Sequence, residues 1–187
     1  VRIGLLGGSF DPIHRGHLRL AALARETLGL EHVLLVPAGR PPHRAAPAGD
    51  AFDRYAMTAL AAADDPSLRP SPLELQRPGP SYTVDTLEAL GAGAPGVEFF
   101  LLLGADAAAL LPSWHRAARV LELARVAVVG RPGRDGAAPP PGTLALPTTG
   151  LDVSSSALRA EIRAGRDVRA QVGDGVADYI AKRRLYT

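Results

Sequence analysis

Two histidines stand three residues apart in the string Gly7-Gly8-Ser9-Phe10-Asp11-Pro12-Ile13-His14-Arg15-Gly16-His17. In the first turn of a helix, that spacing lets both rings reach the same side. The two glycines ahead of them let the backbone turn tightly and approach a ligand. The helix start that follows offers free N–H groups and a positive dipole end, so the string is suited to hold a phosphate. Two plainer readings compete: a glycine turn with two solvated histidines, or a His-x-x-His zinc pair that lacks a third ligand nearby. A Walker loop is excluded because no GK[ST] follows.

Three further segments carry groups of the same kind. Val36-Pro37-Ala38-Gly39-Arg40-Pro41-Pro42-His43-Arg44 is a loop stiffened by proline, with His43 and Arg44 as adjacent phosphate donors or merely solvated side chains. Ser81-Tyr82-Thr83 precedes an apolar helical run, either as a simple N-cap or as a helix start that binds a carboxylate. Asp152-Val153-Ser154-Ser155-Ser156 opens another helix, with Arg159 four residues after Ser155 on the same face. Such a cluster grips a triphosphate tail, or only caps its helix. In Leu103-Gly104-Ala105-Asp106 an acid lies just past a strand, placed for ribose hydroxyls or for capping. Trp114 is the only tryptophan, a core residue or a stacking platform.

These residues need a frame that brings loop ends together. Val1–Leu6, His32–Val36, Val97–Leu103 and Arg125–Gly130 read as buried strands, each a short apolar run ending at Gly or Pro. Runs without polar alternation suit a parallel sheet covered on both faces. Arg15–Leu28, Asp50–Ala63, Thr83–Leu90 and Ala105–Leu111 read as helices between them, and Thr143–Leu146 as a short extra strand after the Pro-rich 137–142 loop. Ser155–Ala164 and Asp174–Arg184 form a C-terminal helical pair. The expected fold is α/β: a doubly wound, Rossmann-like parallel sheet with helices on both faces. Residues 1–187 read as a single domain, with a core over 1–150 and a phosphate-binding helix and a packing helix over 151–187.

Composition sets the outer limits. The chain has 187 residues, 21 basic and 19 acidic side chains and no cysteine. That excludes disulfides, thiolate metal sites and a cysteine nucleophile, and a net charge of +2 gives no case for a nucleic-acid or membrane partner. Lys182 is the only lysine, so the basic set is otherwise arginine, which forks onto phosphate or carboxylate. The apolar runs fall far short of the ~20 residues that a membrane span requires. The chain opens directly on strand-like VRIGLL, without a charged leader or cleavage site, which predicts a soluble cytoplasmic protein.

The string GGSFDPIHRGH resembles the HxGH motif of the nucleotidyltransferase superfamily. Four later segments, PPHR, SYTVDTL, LGAD with Trp114, and VSSSALR, resemble in order those of bacterial nicotinate-nucleotide adenylyltransferases, as does Phe52-x-Arg54-x-x-Met57. Arg44 replaces the lysine often seen in that family. The resemblance implies transfer of AMP from ATP to nicotinate mononucleotide, giving nicotinate adenine dinucleotide and pyrophosphate in NAD biosynthesis. It implies His14, His17 and Arg159 as catalytic residues and Gly8, Ser9, Phe10, Gly104, Asp106, Ser154 and Ser155 as the ATP site. His43, Arg44, Thr83, Trp114 and Arg131 would bind the second substrate. Mg2+ would arrive with ATP, held by its phosphates and by no metal site of the protein. Phosphopantetheine, nicotinamide mononucleotide or a non-catalytic nucleotide-sensing role are the rival readings, and the oligomeric state, a homo-oligomer included, stays open.

Overall fold

A computed structural model describes residues 1–42, 45–130 and 140–187. In chain order the elements are β1 (Arg2–Gly8), α1 (Arg15–Leu28), β2 (His32–Pro37), α2 (Ala51–Ala62), β3 (Leu68–Pro70), α3 (Leu73–Gln76), α4 (Thr83–Gly93) and β4 (Glu98–Gly104). There follow α5 (Ala105–Leu110), a 3-10 turn (Leu111–Ser113), α6 (Ala117–Leu123), β5 (Ala124–Val129), β6 (Leu144–Leu146), α7 (Ser155–Arg163), α8 (Arg169–Val172) and α9 (Asp174–Arg183). Among the described residues, six strands form one sheet in the order β3-β2-β1-β4-β5-β6, and every pairing is parallel. The order reverses between β1 and β4, and a ligand crevice opens beyond strand ends at such a reversal.

The uninterrupted apolar strands have a direct cause: both faces of the sheet are covered. Along β4, Phe100 and Leu102 join the core under α1, α2 and the C-terminal helices. Phe99, Leu101 and Leu103 join the core under α4, α5 and α6. The same alternation splits β5, with Ala127 and Val129 on the first face and Val126 and Val128 on the second. Successive strand residues point to opposite faces, so a strand with two cores cannot alternate with polar residues. Leu102 is fully buried, and trimming it to Ala would cost roughly 2–5 kcal/mol.

The four strong strands, the short strand near Leu144 and the six helices read from sequence are all present, with shifted ends. Between the two expected C-terminal helices lies the additional α8. The additional β3 is three residues long and ends on Pro70 at the sheet edge, where a missing N–H breaks no ladder. The additional α3 and α8 are four residues each and α6 is seven, too short for a helical period to register in sequence. Among the described residues, no helix is long and apolar enough to cross a membrane.

Candidate active site

Two adjoining cavities open where β1 and β4 end. The larger, of about 540 Å³, is lined by the loop after β1, the start of α5 and the start of α7. The smaller, of about 150 Å³, lies between the loop after β2, the start of α4 and the segment around Trp114. Gly7, Gly8 and Ser9 line both, so β1 delivers its glycines to the wall between them.

In the larger cavity, His14 and His17 stack with ring centroids 3.7 Å apart and planes inclined by 23°. His14 is the N-cap of α1 and is buried. Burial drives its pKa down to about 4, so at neutral pH it is an uncharged hydrogen-bonding group. Its backbone N–H donates to Nδ1 of His17 at 3.3 Å. Neutral His17 therefore carries its proton on Nε2, where it can be given to an anion. Phe10 meets the His17 ring edge-on at 5.0 Å, and its own side chain is buried in the core. Its backbone sits at φ 47, a left-handed conformation rare for so bulky a residue. Gly16 has a steric reason: a Cβ there would stand 3.0 Å from Nδ1 of His14.

Three arms hold this loop from behind. Ser155 donates its hydroxyl to the carbonyl of Pro12 at 2.9 Å. Arg159 donates to the carbonyl of Asp11 at 2.7 Å and pairs with its carboxylate at 3.6 Å. The Asp11 carboxylate also accepts the N–H groups of Ala48 and Gly49 and the hydroxyl of Tyr186, at 2.7, 2.9 and 2.8 Å. Arg54 is 2% exposed, and its guanidinium donates to the carbonyls of Ser9, Ala38 and Gly49 at 2.8, 2.7 and 3.1 Å. Burial lowers its pKa, and the nearby Asp11 charge opposes that shift. Ser154 caps α7 by accepting the N–H of Ala157 at 3.3 Å.

The smaller cavity has aromatic walls. Tyr82 and His115 face each other at 4.3 Å with planes tilted by 32°, and half-buried Trp114 packs on the core and lines the cavity. Thr83, the first residue of α4, lies on the same wall. Pyridine-sized apolar space beside a helix start is thus joined directly to a cradle of N–H, hydroxyl and imidazole groups.

Comparison with known proteins identifies the family. A family model described as cytidylyltransferase-like matches residues 5–161. A Thermus thermophilus relative named "Probable nicotinate-nucleotide adenylyltransferase" is 46% identical over 186 residues, covering 100% of both chains. The chain belongs to the nicotinate-nucleotide adenylyltransferase family. A Herpetosiphon aurantiacus member of the same name is 39% identical over 194 residues, covering 99% of this chain and 98% of that one. In fold, the chain is similar to Plasmodium falciparum nicotinic acid mononucleotide adenylyltransferase complexed with NaAD, with a TM-score of 0.82, 19% identity and coverage of 99% and 97%.

For this adenylyltransferase-family chain, the residues singled out by sequence divide between the cavities. Gly8, Ser9, Phe10, His14, His17, Gly104, Asp106, Ser154, Ser155 and Arg159 line the larger one. Thr83 and Trp114 line the smaller one, together with Gly8 and Ser9. His43, Arg44 and Arg131 lie outside the described residues. Sequence reasoning gave no site role to Asp11, Arg54 or Glu74. Asp11-Pro12 reads as an ordinary turn, and Arg54 reads as a packing residue on a helix. The signal for Arg54 was its place on the buried face of α2 beside Met57, where an arginine needs carbonyl partners.

Proposed function

We propose that this chain is an adenylyltransferase that joins ATP and nicotinate mononucleotide into nicotinate adenine dinucleotide, releasing pyrophosphate. The observation that carries this reading is the aromatic-walled cavity opening onto the phosphate cradle across Gly7, Gly8 and Ser9. ATP is assigned to the larger cavity, with Gly104 and Asp106 toward its nucleoside and Ser154, Ser155 and Arg159 toward its phosphates. The pyridine ring of the acceptor is assigned to the smaller one, stacked on Trp114, with its carboxylate at the start of α4 by Thr83. A helix N-terminus favours the acid over the amide, because it stabilises negative charge.

The acceptor phosphate attacks the α-phosphorus of ATP in line. A new P–O bond forms as the bond to the pyrophosphate leaving group breaks. The nucleophile is already an anion, so the chain needs neither a covalent intermediate nor a strong base. It supplies alignment and compensates the charge growing on bridging and leaving oxygens. His17 donates from Nε2, neutral His14 donates a hydrogen bond without charge, and Arg159 contributes permanent charge. His43 and Arg44 assist from the loop after β2, and Arg131 takes the acceptor phosphate. Among the described residues no set of three or more His, Asp or Glu could cage a metal. Mg2+ is assigned to ATP phosphate oxygens and water, and it would shield charge on the leaving group. The cytoplasm is the expected compartment.

The test is pyrophosphate release with ATP and, in turn, nicotinate mononucleotide, nicotinamide mononucleotide and phosphopantetheine, with mass spectrometry of each product. Nicotinate mononucleotide is expected to give the highest kcat/KM. A higher value for either rival would overturn the acceptor assignment, and pyrophosphate release with none would overturn the enzymatic reading.

A further inference from the structure

A buried acid lines the cavity assigned above to a substrate that is itself an anion. Glu74 is 7% exposed and borders the smaller cavity together with Ser81. Its Oε1 accepts the hydroxyl of Thr86 at 2.7 Å, and the neighbouring Ser81 hydroxyl helps to hold the carboxylate's charge. The Ser81 oxygen in turn accepts the N–H groups of Gly39 and Arg40, at 2.9 and 3.1 Å. The Thr86 oxygen accepts from Arg77 at 3.1 Å, and Arg77 also donates to the carbonyl of Tyr82 at 3.3 Å.

The direction of every proton in this cluster follows from its partners. A hydroxyl has one proton to give. Thr86 receives a guanidinium and directs its own proton at Glu74, while Ser81 beside it receives two N–H groups from the loop after β2. The carboxylate is the end of the donor chain that runs from Arg77 through Thr86 of α4. A second contact ties the same parts together: a Cβ on Gly39 would stand 2.6 Å from the carbonyl oxygen of Glu74. The loop after β2, residues 74–77 and the first turn of α4 are therefore joined around one side chain.

We propose that Glu74 is a positioning residue for acceptor recognition, fixing the first turn of α4 beside the loop after β2 at the wall of the smaller cavity. It acts through Thr86 and through the packing of its backbone against Gly39, and does not itself touch the acceptor carboxylate. Desolvation raises its pKa, and the convergent hydroxyls and the Arg77 charge work against that rise. An amide at this position is uncharged and has a donor at one end, so it holds the Thr86 hydroxyl and the neighbouring Arg77 charge less firmly. Thr86 then turns to the carbonyl of Tyr82, which already lies 3.4 Å from its hydroxyl, and the first turn of α4 loses its tie to residues 74–77.

The proposal rests on the acceptor reading given above, and steady-state kinetics with each substrate varied separately tests the two apart. Glu74→Gln is expected to raise KM for nicotinate mononucleotide about fivefold or more, leaving kcat and the KM for ATP within about twofold. Thr86→Val should reproduce that split and Thr86→Ser should stay near wild type. The double variant should be little worse than either single one, because the residues act as a unit. An unchanged acceptor KM in Glu74→Gln, or an equal rise in both KM values, would overturn the proposal while wild-type turnover upholds the acceptor reading. Wild-type protein that forms no dinucleotide from nicotinate mononucleotide overturns both. If Glu74→Gln fails to fold, the Thr86→Val and Thr86→Ser pair decides by the same criteria.

Discussion

The phosphate cradle and the aromatic cavity share Gly7, Gly8 and Ser9 at the end of β1 but draw their support from different parts of the chain. The cradle is held by partners far apart in sequence: Asp11 meets Tyr186, Pro12 meets Ser155, and Ser9 meets Arg54. The aromatic cavity is braced mainly by one run, Glu74 to Thr86, which hydrogen-bonds within itself and to Gly39 and Arg40. One side thus depends on the whole fold, and the other is a nearly local unit resting on it. Phosphate geometry is common to every nucleotide transfer, and the acceptor is what distinguishes one transfer from another. The local unit is the part that can change without dismantling the cradle.

This division is sharpest in variants that should affect only one side. His17→Ala should lower kcat more than tenfold, and about a hundredfold if it removes one transition-state donor, with the fold and acceptor KM retained. Near-wild-type turnover at saturating substrates would remove His17 from the chemistry. On the other side, Gly39→Ala forces a methyl against the Glu74 carbonyl. It should cost about 2 kcal/mol of stability by denaturant unfolding and raise the acceptor KM more than the ATP KM. A variant as stable as wild type, with unchanged kinetics, would mean that the brace has slack. Trp114→Ala should raise the acceptor KM about tenfold by losing ring stacking and apolar contact, with little change for ATP. Equal weakening of both substrates would blur the boundary between the cavities.

The smallest effect is a pH dependence confined to the cradle. The folded pKa of His14, about 4, lies below the unfolded 6.5. Between those values the unfolded chain binds more protons, so the contribution is present above pH 6.5 and is lost as pH falls toward 4. From about pH 7 to about pH 5.5 this should cost about 1 kcal/mol, measured by denaturant unfolding, and His14→Gln should remove that share. An unchanged pH slope in His14→Gln would show that another group titrates there.

The sequence was most informative where one element decides the outcome. The β4 run Glu98–Gly104 is apolar because both of its faces are buried, and that suffices to infer a covered parallel sheet. His14 and His17 lie on one helical turn, so their spacing alone brings the rings together. Asp11 is the opposite case. Its neighbours say only that the chain turns, while its partners lie 37 and 175 residues away. Glu74 was equally silent, since a glutamate in a four-residue helix carries no sign that the hydroxyl of Thr86 will reach it. Trp114 packs on the core and also lines the smaller cavity, so the core and platform readings are compatible.

Arg54 has an electrical consequence for the loops in front of it. A trans peptide unit is a rigid dipole whose C=O and N–H point in opposite directions. By drawing the carbonyls of Ser9 and Ala38 inward at 2.8 and 2.7 Å, the guanidinium turns the following N–H groups, those of Phe10 and Gly39, the other way. The N–H of Gly39 is committed to Ser81. That of Phe10 belongs to the loop that lines the larger cavity. A buried cation thereby fixes the orientation of two peptide units in the walls of the two cavities.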